Sequence, residues 1–183
     1  MAQSGPQREP FRGSARYMSD GVDVLRALHD VRVLLAPLTR RRDVTLVLTG
    51  CDALPHAAVD EQKLGRLLYK LFTIAIRNTS VKGTVRVAGE VVRTDGSRAR
   101  PLLQIAISDP GPSATLEDFE RLVRSISPVE ILGAEQRSGA VTMTAASGLG
   151  EAEPAMVSLR FAPDAMRTLL LTLPMTGNNN DGV

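Results

Sequence analysis

The sequence predicts an α+β protein, a two-layer α/β sandwich with helices on one face of a mixed, mostly antiparallel sheet. Three observations predict this class. Two segments with helical periodicity come early, an Asp95-Gly96 pair between two strand-like runs predicts a hairpin, and further strand-like runs follow. Because helical and strand segments are grouped along the chain, we expect the second face of the sheet to be open or covered by a partner.

The length and composition predict one compact domain. The chain has 183 residues, of which 43% are hydrophobic, enough for a sizeable core. Residues 1–20 are polar and rich in Gly, Ser, Pro and Arg, and we expect a flexible arm with Phe11 and Tyr17 as anchor points. The folded domain is then expected over 21–174, and a disordered polar tail over 175–183.

The first elements are predicted from hydrophobic spacing. Between Gly21 and Arg41, apolar residues three to four apart predict an amphipathic helix, with Pro37 bending its last turn. The run "DVTLVLTG" at 43–50 alternates as a strand does. Asp60 is expected to cap a second helix, which "SVKG" ends. Its apolar stripe is Leu64, Leu67, Leu68, Leu71, Phe72, Ala75 and Ile76.

Strands dominate the second half of the predicted order. "GTVRVAGEVV" and "PLLQIAIS" flank the Asp95-Gly96 turn and are expected to pair as antiparallel neighbours. Thr115 and Asp118 form a capping box that predicts a helix over 115–126. Three strand-like runs close the core: "GAVTMTAAS", "AMVSLRF" and "MRTLLLTLP".

Charge and cysteine content narrow the class of protein. The net charge is +2, and no basic run is interleaved with aromatic residues, so no nucleic-acid partner is expected. The cluster "TRRRD" at 39–43 fits a solvated helix end. The single Cys51 excludes an intramolecular disulfide and is expected to be buried or half-buried. Without a predicted membrane span or signal peptide, we expect a cytoplasmic protein with no direct membrane insertion.

Several phrases carry a family resemblance. "DVLRALHDVRVLLAPLTRRRDVTLVL", "VDEQKLGRLLYKLFTIAIRNTSVKGTVRV", "LQIAISDPGP" and "TLLLTLP" resemble the ATP-binding domain of sensor histidine kinases, over roughly residues 22–174. That family belongs to the GHKL superfamily, and the resemblance therefore implies a Bergerat fold. It also implies a nucleotide site between the second helix and the segments that follow the hairpin.

The nucleotide helix departs from the family pattern. The family places asparagines that hold Mg²⁺ where this chain has Lys70 and Ile74. Mg²⁺ requires oxygen ligands, which isoleucine lacks. The positive charge of Lys70 is suited to contact a phosphate directly. Asn78, one turn beyond Ile74 on the same face, is an alternative ligand for Mg²⁺.

The remaining nucleotide motifs are eroded as well. The family has an aspartate that accepts a hydrogen bond from the adenine amino group, followed by two glycines; here Asp109 and Gly111 match, and Ser113 replaces the second glycine. These residues either contact nucleotide or shape a turn. The family's glycine-rich lid has no counterpart after 126, and Gly148-Leu149-Gly150 is either a phosphate loop or a hairpin loop.

His29 precedes Asp30 on the first helix and is interpreted as a phosphate acceptor or as part of a partner surface. In the family, the phospho-accepting histidine lies on a separate pair of dimerisation helices, for which the roughly 20 residues before the first helix are too few. The second interpretation is therefore favoured. Another partner surface is expected at "SPVEIL", where the lid is lost, through Val129, Ile131 and Leu132.

The resemblance and its departures imply a function. We expect a pseudokinase: a degenerate histidine kinase-like module that binds a protein partner in bacterial two-component signalling, without ATP turnover and with no cofactor. The expected partner is a response-regulator receiver or a histidine kinase, and a homodimer is possible. Two alternatives remain: a GHKL kinase or ATPase that binds ATP and Mg²⁺ through divergent residues, and a structural or assembly subunit that has recruited the fold.

Overall fold

The computed structural model describes residues 21–93, 101–111, 121, 129–137, 140–147, 155–161 and 167–176, and over 129–161 it describes the backbone. Five predicted features lie outside the described residues: the arm with Phe11 and Tyr17, the hairpin turn at 94–100, the helix at 115–126 except for residue 121, which is helical, the loop at 148–154 and the tail from 177.

The described elements form one mixed sheet with helices packed against it. They are α1 (Val24–Arg42), β1 (Thr45–Thr49), α2 (Glu61–Asn78), β2 (Thr84–Arg93), β3 (Pro101–Asp109), β4 (Val129–Arg137), β5 (Ala140–Ser147), β6 (Ala155–Phe161) and β7 (Arg167–Pro174). The strand order is β1-β2-β3-β7-β6-β5-β4. The β1–β2 pair is parallel and all others are antiparallel. The predicted fold class is confirmed.

Helix α1 begins at Val24, three residues later than the predicted start at Gly21. The reason is its cap, because the Asp23 carboxylate accepts a hydrogen bond from the Arg26 N–H at 3.0 Å. The helix continues through Pro37 to Arg42 and ends where Asp43 adopts a left-handed conformation, φ 52°. Three exposed arginines occupy its last turn, the favourable end of the helix dipole for cations.

Helix α2 matches its prediction closely. The Asp60 carboxylate caps it by accepting a hydrogen bond from the Lys63 N–H at 2.8 Å. The residues that it buries are the seven of the predicted apolar stripe, Leu64 through Ile76. This helix contacts both α1 and β3, so it lies between the first helix and the sheet centre.

The core lies between the helices and one face of the sheet. Alternate residues of β2, β3 and β7 are buried there: Val85, Val87, Leu103, Ile105, Ile107, Leu169, Leu171 and Leu173. On β3 and β7 the intervening residues are half-buried. The period-two burial explains why these strands were predicted from sequence.

Strand β4 is a correction, since the sequence predicted no strand between 127 and 138. Its sequence "VEILGAEQR" has no clean alternation, because a register shift separates Ile131 from Gly133. The segment that was interpreted as a vacated lid is therefore the strand at the far end of the sheet.

Residues that follow β7 contact the start of the domain. Ala57 bridges both Val22 and Met175, and the Thr176 N–H donates to the His56 carbonyl at 3.1 Å. These contacts join the start of the domain to the segment that follows β7.

Candidate functional site

The candidate site lies where β3 ends, β7 begins and α2 ends. The antiparallel register of β3 and β7 places Asp109 opposite Arg167. Both side chains lie on the core face, in line with Ile107 and Leu169. Gly111 follows two residues after Asp109, and a Cβ at this position would lie 3.0 Å from the carbonyl oxygen of Asn78, the last residue of α2.

Asp109 and Arg167 form a buried ion pair. The Arg167 Nη2 lies 2.7 Å from Oδ2 and 2.8 Å from Oδ1 of Asp109, and Nε lies 3.1 Å from Oδ2. The Gly111 N–H donates to Oδ1 at 2.9 Å. Asp109 is 0% exposed and Arg167 is 6% exposed. A carboxylate offers about four acceptor positions, of which three N–H groups occupy most, and the 0% exposure of Asp109 leaves none open to solvent.

The electrostatics of Asp109 combine two opposing effects. Burial raises the pKa of its carboxyl group, because desolvation penalises the charged form. The hydrogen bonds and positive charge of Arg167, and then the Gly111 N–H, act in the opposite direction. The carboxyl group is thus held in place by neighbours that replace the solvent it has lost.

Gly111 is required by close packing. A Cβ at this position would lie 2.4 Å from the Asp109 Oδ1 and 3.0 Å from the Asn78 carbonyl oxygen. The first is a distance that real Cβ atoms do not show. Gly111 therefore lets the chain after β3 pass between the ion pair and the end of α2, as the turn interpretation of this motif requires.

The face of α2 beside this turn carries the positions that the sequence resemblance assigns to metal ligands. Ile74 is half-buried and packs against the hydrophobic core. Lys70, one turn earlier, is half-buried, and Asn78, one turn later, is exposed. Among these three side chains, the structure brings Asn78 next to Gly111, and hence near Asp109.

A groove of about 420 Å³ lies at the other end of the helical layer, between α1 and β1. His29 is exposed and lines it. The other lining residues are Leu25, Arg32, Thr45, Leu46, Val47, Leu48, Cys51 and Asp52. None of these residues belongs to the Asp109 site, so the predicted partner residue His29 lies at a separate surface.

The predicted partner residues Val129 and Ile131 lie on β4, at an end of the sheet. They pair with Ser147 and Ala145 of β5, and Leu132 is the residue at the register shift. For these three residues the structure describes the backbone. These residues therefore belong to a β-strand, and not to an irregular segment left by a lost lid, as the sequence suggested.

Two further features concern metal binding and membrane insertion in the described part of the chain. No cluster of three or more His, Cys, Asp or Glu side chains there is arranged to hold a metal ion. No helix in that part is long and apolar enough to cross a bilayer.

Arg167 is a site residue that the sequence patterns did not predict. The residue lies 58 positions from Asp109, and only the β3–β7 register brings them together. The available signal was the arginine at the start of an otherwise apolar strand, because a buried arginine requires an acidic partner.

Comparisons with known proteins place the fold. No protein-family model matches the chain, and no curated protein matches it. Among solved structures, the catalytic domain of histidine kinase ThkA in a nucleotide-free form aligns with TM-score 0.51 at 12% identity, covering 85% of this chain and 94% of that domain. The chain has the fold of a histidine kinase catalytic domain.

Two larger histidine kinase structures give the same result for the fold. ThkA in complex with response regulator protein TrrA aligns with TM-score 0.54 at 16% identity, over 85% of this chain and 41% of that one. Full-length ShkA in complex with AMPPNP aligns with TM-score 0.51 at 15% identity, over 85% of this chain and 31% of that one.

Proposed function

We propose that this chain is a catalytically degenerate histidine kinase-like domain. It acts as a protein-interaction or regulatory module in two-component phosphorelay signalling and does not turn over ATP. The observation that carries the proposal is the state of Asp109, whose carboxylate is buried and bound by Arg167 and Gly111.

Adenine recognition requires a carboxylate with a free acceptor position. In the resembled family, that carboxylate accepts a hydrogen bond from the adenine amino group. Here the guanidinium of Arg167 supplies donors to both oxygens, and the Gly111 N–H supplies a further one. An adenine amino group would have to displace a bidentate charged donor, an exchange that its single neutral hydrogen bond does not offset.

Magnesium binding requires oxygen ligands on α2. The two positions that hold them in the family carry Lys70 and Ile74, a cation and a hydrocarbon that packs on the core. A lysine ammonium repels Mg²⁺, and Asn78 is left as a single amide oxygen on that face. The residues present therefore do not fit either the adenine or the metal of Mg·ATP, and no phosphoryl-transfer step is assigned to this chain.

A protein partner fits the exposed side of α1. Val33 and Leu34 are exposed to 72% and 66%, which is unusual for large apolar side chains on a helix that already buries its opposite face. His29 lies on the same helix and is also exposed. We assign this surface, α1 with His29, Val33 and Leu34, to a response-regulator receiver or a histidine kinase; the ThkA structure with its response regulator is a precedent among proteins of this fold.

The nucleotide half of the proposal is tested by thermal melting with and without 5 mM Mg·ATP. A ligand that binds only the native state at 100 times its Kd adds about 2.7 kcal/mol, or roughly 5–10 °C in Tm for a domain of this size. We expect no shift for this chain and a clear shift for the ShkA catalytic domain as the positive control. A shift of several degrees that Asp109→Asn removes would establish the ATP-binding alternative instead.

The partner half is tested by isothermal titration against purified receiver domains from the source genome. We expect one receiver to bind, and Leu34→Lys to weaken it by at least about tenfold by placing a charge in an apolar contact. Val81→Lys, at a valine exposed to 68% outside α1, is the matched control and should bind as the parent does. A panel in which no receiver binds, or a binder that Leu34→Lys leaves unchanged, contradicts the assigned surface.

A further inference from the structure

Strand β1 lies at one end of the sheet, with β2 as its neighbour in the strand order. The Thr45 N–H donates to the Gly83 carbonyl at 3.0 Å, so the backbone groups of Thr45 face β2. Because successive residues of a strand point their N–H and C=O groups to opposite sides, Val47 and Thr49 also face β2. The backbone groups of Leu46 and Leu48 therefore point to the outer edge, where β1 lines the groove beneath α1.

The sequence of β1 is self-complementary. It reads Thr-Leu-Val-Leu-Thr in either direction, with Val47 at its centre. In a twofold-symmetric antiparallel pair, each residue meets its counterpart across the axis. Centred on Val47, that arrangement pairs Leu46 with Leu48 of a second copy and Thr45 with Thr49. Such pairs are favourable on both faces of a sheet.

The two ends of the sheet differ in their protection against pairing. Strand β4 contains a register shift at Leu132 and carries Glu130, Glu135 and Arg137. Bulges and charged residues are the features that keep an edge strand from adding a neighbour. Strand β1 has no charged residue, no proline and no register shift against β2. The outer edge of β1 is therefore better suited to pair with another strand than the outer edge of β4.

Charges at the ends of β1 are also complementary under this symmetry. Just before the strand, Arg41, Arg42 and Asp43 are exposed and together carry two positive charges and one negative charge, and Asp52 is exposed just after it. An antiparallel arrangement brings the basic end of one copy to the acidic end of the other, at both ends of the pair. A parallel arrangement would place like charges together, so the charges select the antiparallel one.

We propose that β1 is a dimerisation edge, where two copies of this chain pair their β1 strands about a twofold axis at Val47 and form one continuous sheet. Leu46 of each copy exchanges its N–H and C=O hydrogen bonds with Leu48 of the other. Val47 then faces its own counterpart as a non-hydrogen-bonded pair, with Cα atoms about 4.5 Å apart. Leu25 and Arg32 of α1, which line the groove over β1, form the rim of the interface above the paired strands.

The first test measures association by sedimentation equilibrium across a concentration series. We expect a reversible dimer, weakened at least about tenfold in Val47→Lys, because like charges lie directly opposite each other at the axis. Val47→Glu should weaken it similarly, and an equimolar mixture of the two variants should recover the dimer as a heterodimer. Val91→Lys is the control, since Val91 is an exposed valine on β2, at 48%; it should associate as the parent does.

The second test is disulfide trapping, which uses uncharged substitutions and remains informative if a charged variant folds poorly. Val47→Cys should form a covalent dimer on mild oxidation, because directly opposed cysteines about 4.5 Å apart lie within disulfide range. Val91→Cys should not, and the native Cys51, 2% exposed, is common to both variants. A monomeric parent chain at 100 μM, a dimer unaffected by Val47→Lys, or equal trapping of the two cysteine variants would overturn the proposal. None of these outcomes depends on whether the chain binds ATP.

Discussion

Removing the guanidinium of Arg167 should destabilise the domain strongly. The pair partner Asp109 is 0% exposed, so Arg167→Met leaves a carboxylate without its counter-charge and without water. Breaking a buried pair from one side costs about 3–5 kcal/mol. For a domain of this size that corresponds to a fall in Tm of roughly 6–20 °C.

Urea titration monitored by circular dichroism is the appropriate assay, since the expected loss is a large part of a typical stability of about 5–15 kcal/mol. Thr168→Ala is the matched control. The Thr168 hydroxyl lies 2.9 Å from the Ser108 hydroxyl on the opposite face of the same strand pair, and its loss should cost about 1 kcal/mol.

A double variant separates charge from packing. Asp109→Asn with Arg167→Met removes both charges and keeps an amide oxygen to accept the Gly111 N–H. We expect this double variant to recover more than half of the stability that Arg167→Met loses. If Arg167→Met is no less stable than Thr168→Ala, or if the double variant is no better than Arg167→Met alone, the buried pair does not hold β3 to β7 as argued.

Three further predictions concern single residues near the core. Gly111→Ala should lower the urea midpoint, because its Cβ would lie 2.4 Å from the Asp109 Oδ1; a parent-like midpoint would mean that the turn relaxes. Thr73→Val should raise the free energy of unfolding by about 1 kcal/mol, because the Thr73 hydroxyl is buried with no hydrogen-bond partner in the described structure. A loss of stability in this variant would mean that the hydroxyl has a partner. Burial raises the pKa of the Cys51 thiol above its ordinary value of 9.0, so the native thiol should resist Ellman's reagent at pH 8 and react on unfolding. The raised pKa also makes the free energy of unfolding depend on pH. The contribution of the protonated Cys51 thiol is complete below pH 9 and is lost as the pH rises through the folded pKa. Cys51→Val should therefore reduce this loss of stability at high pH.

Local patterns were sufficient to predict most of the fold. The stripe of α2 repeats every three to four residues, and Asp60 stands at its start, so both its buried face and its first residue were readable. The β2–β3 hairpin was predicted from a two-residue turn signal between alternating runs. In these elements, each residue's environment is set by neighbours a few positions away.

The parts that escaped prediction depend on contacts between distant segments. Strand β4 lacks a continuous alternating pattern because its register against β5 shifts at Leu132. Arg167 gains its role from a strand register that joins residues 58 apart. The sequence showed that Asp109 and Gly111 match the pattern of the resembled family, but not that Arg167 is the partner of Asp109.

The place of β7 in the sheet has a consequence for synthesis. It is the last described strand in chain order, yet it lies between β3 and β6. During translation, the β1–β3 half and the β4–β6 half each expose an unpaired edge until β7 emerges and joins them. The nascent chain therefore passes through an interval in which edge pairing with other chains competes with completion of its own sheet. Slow translation or early termination before Arg167 should increase aggregation and dependence on chaperones.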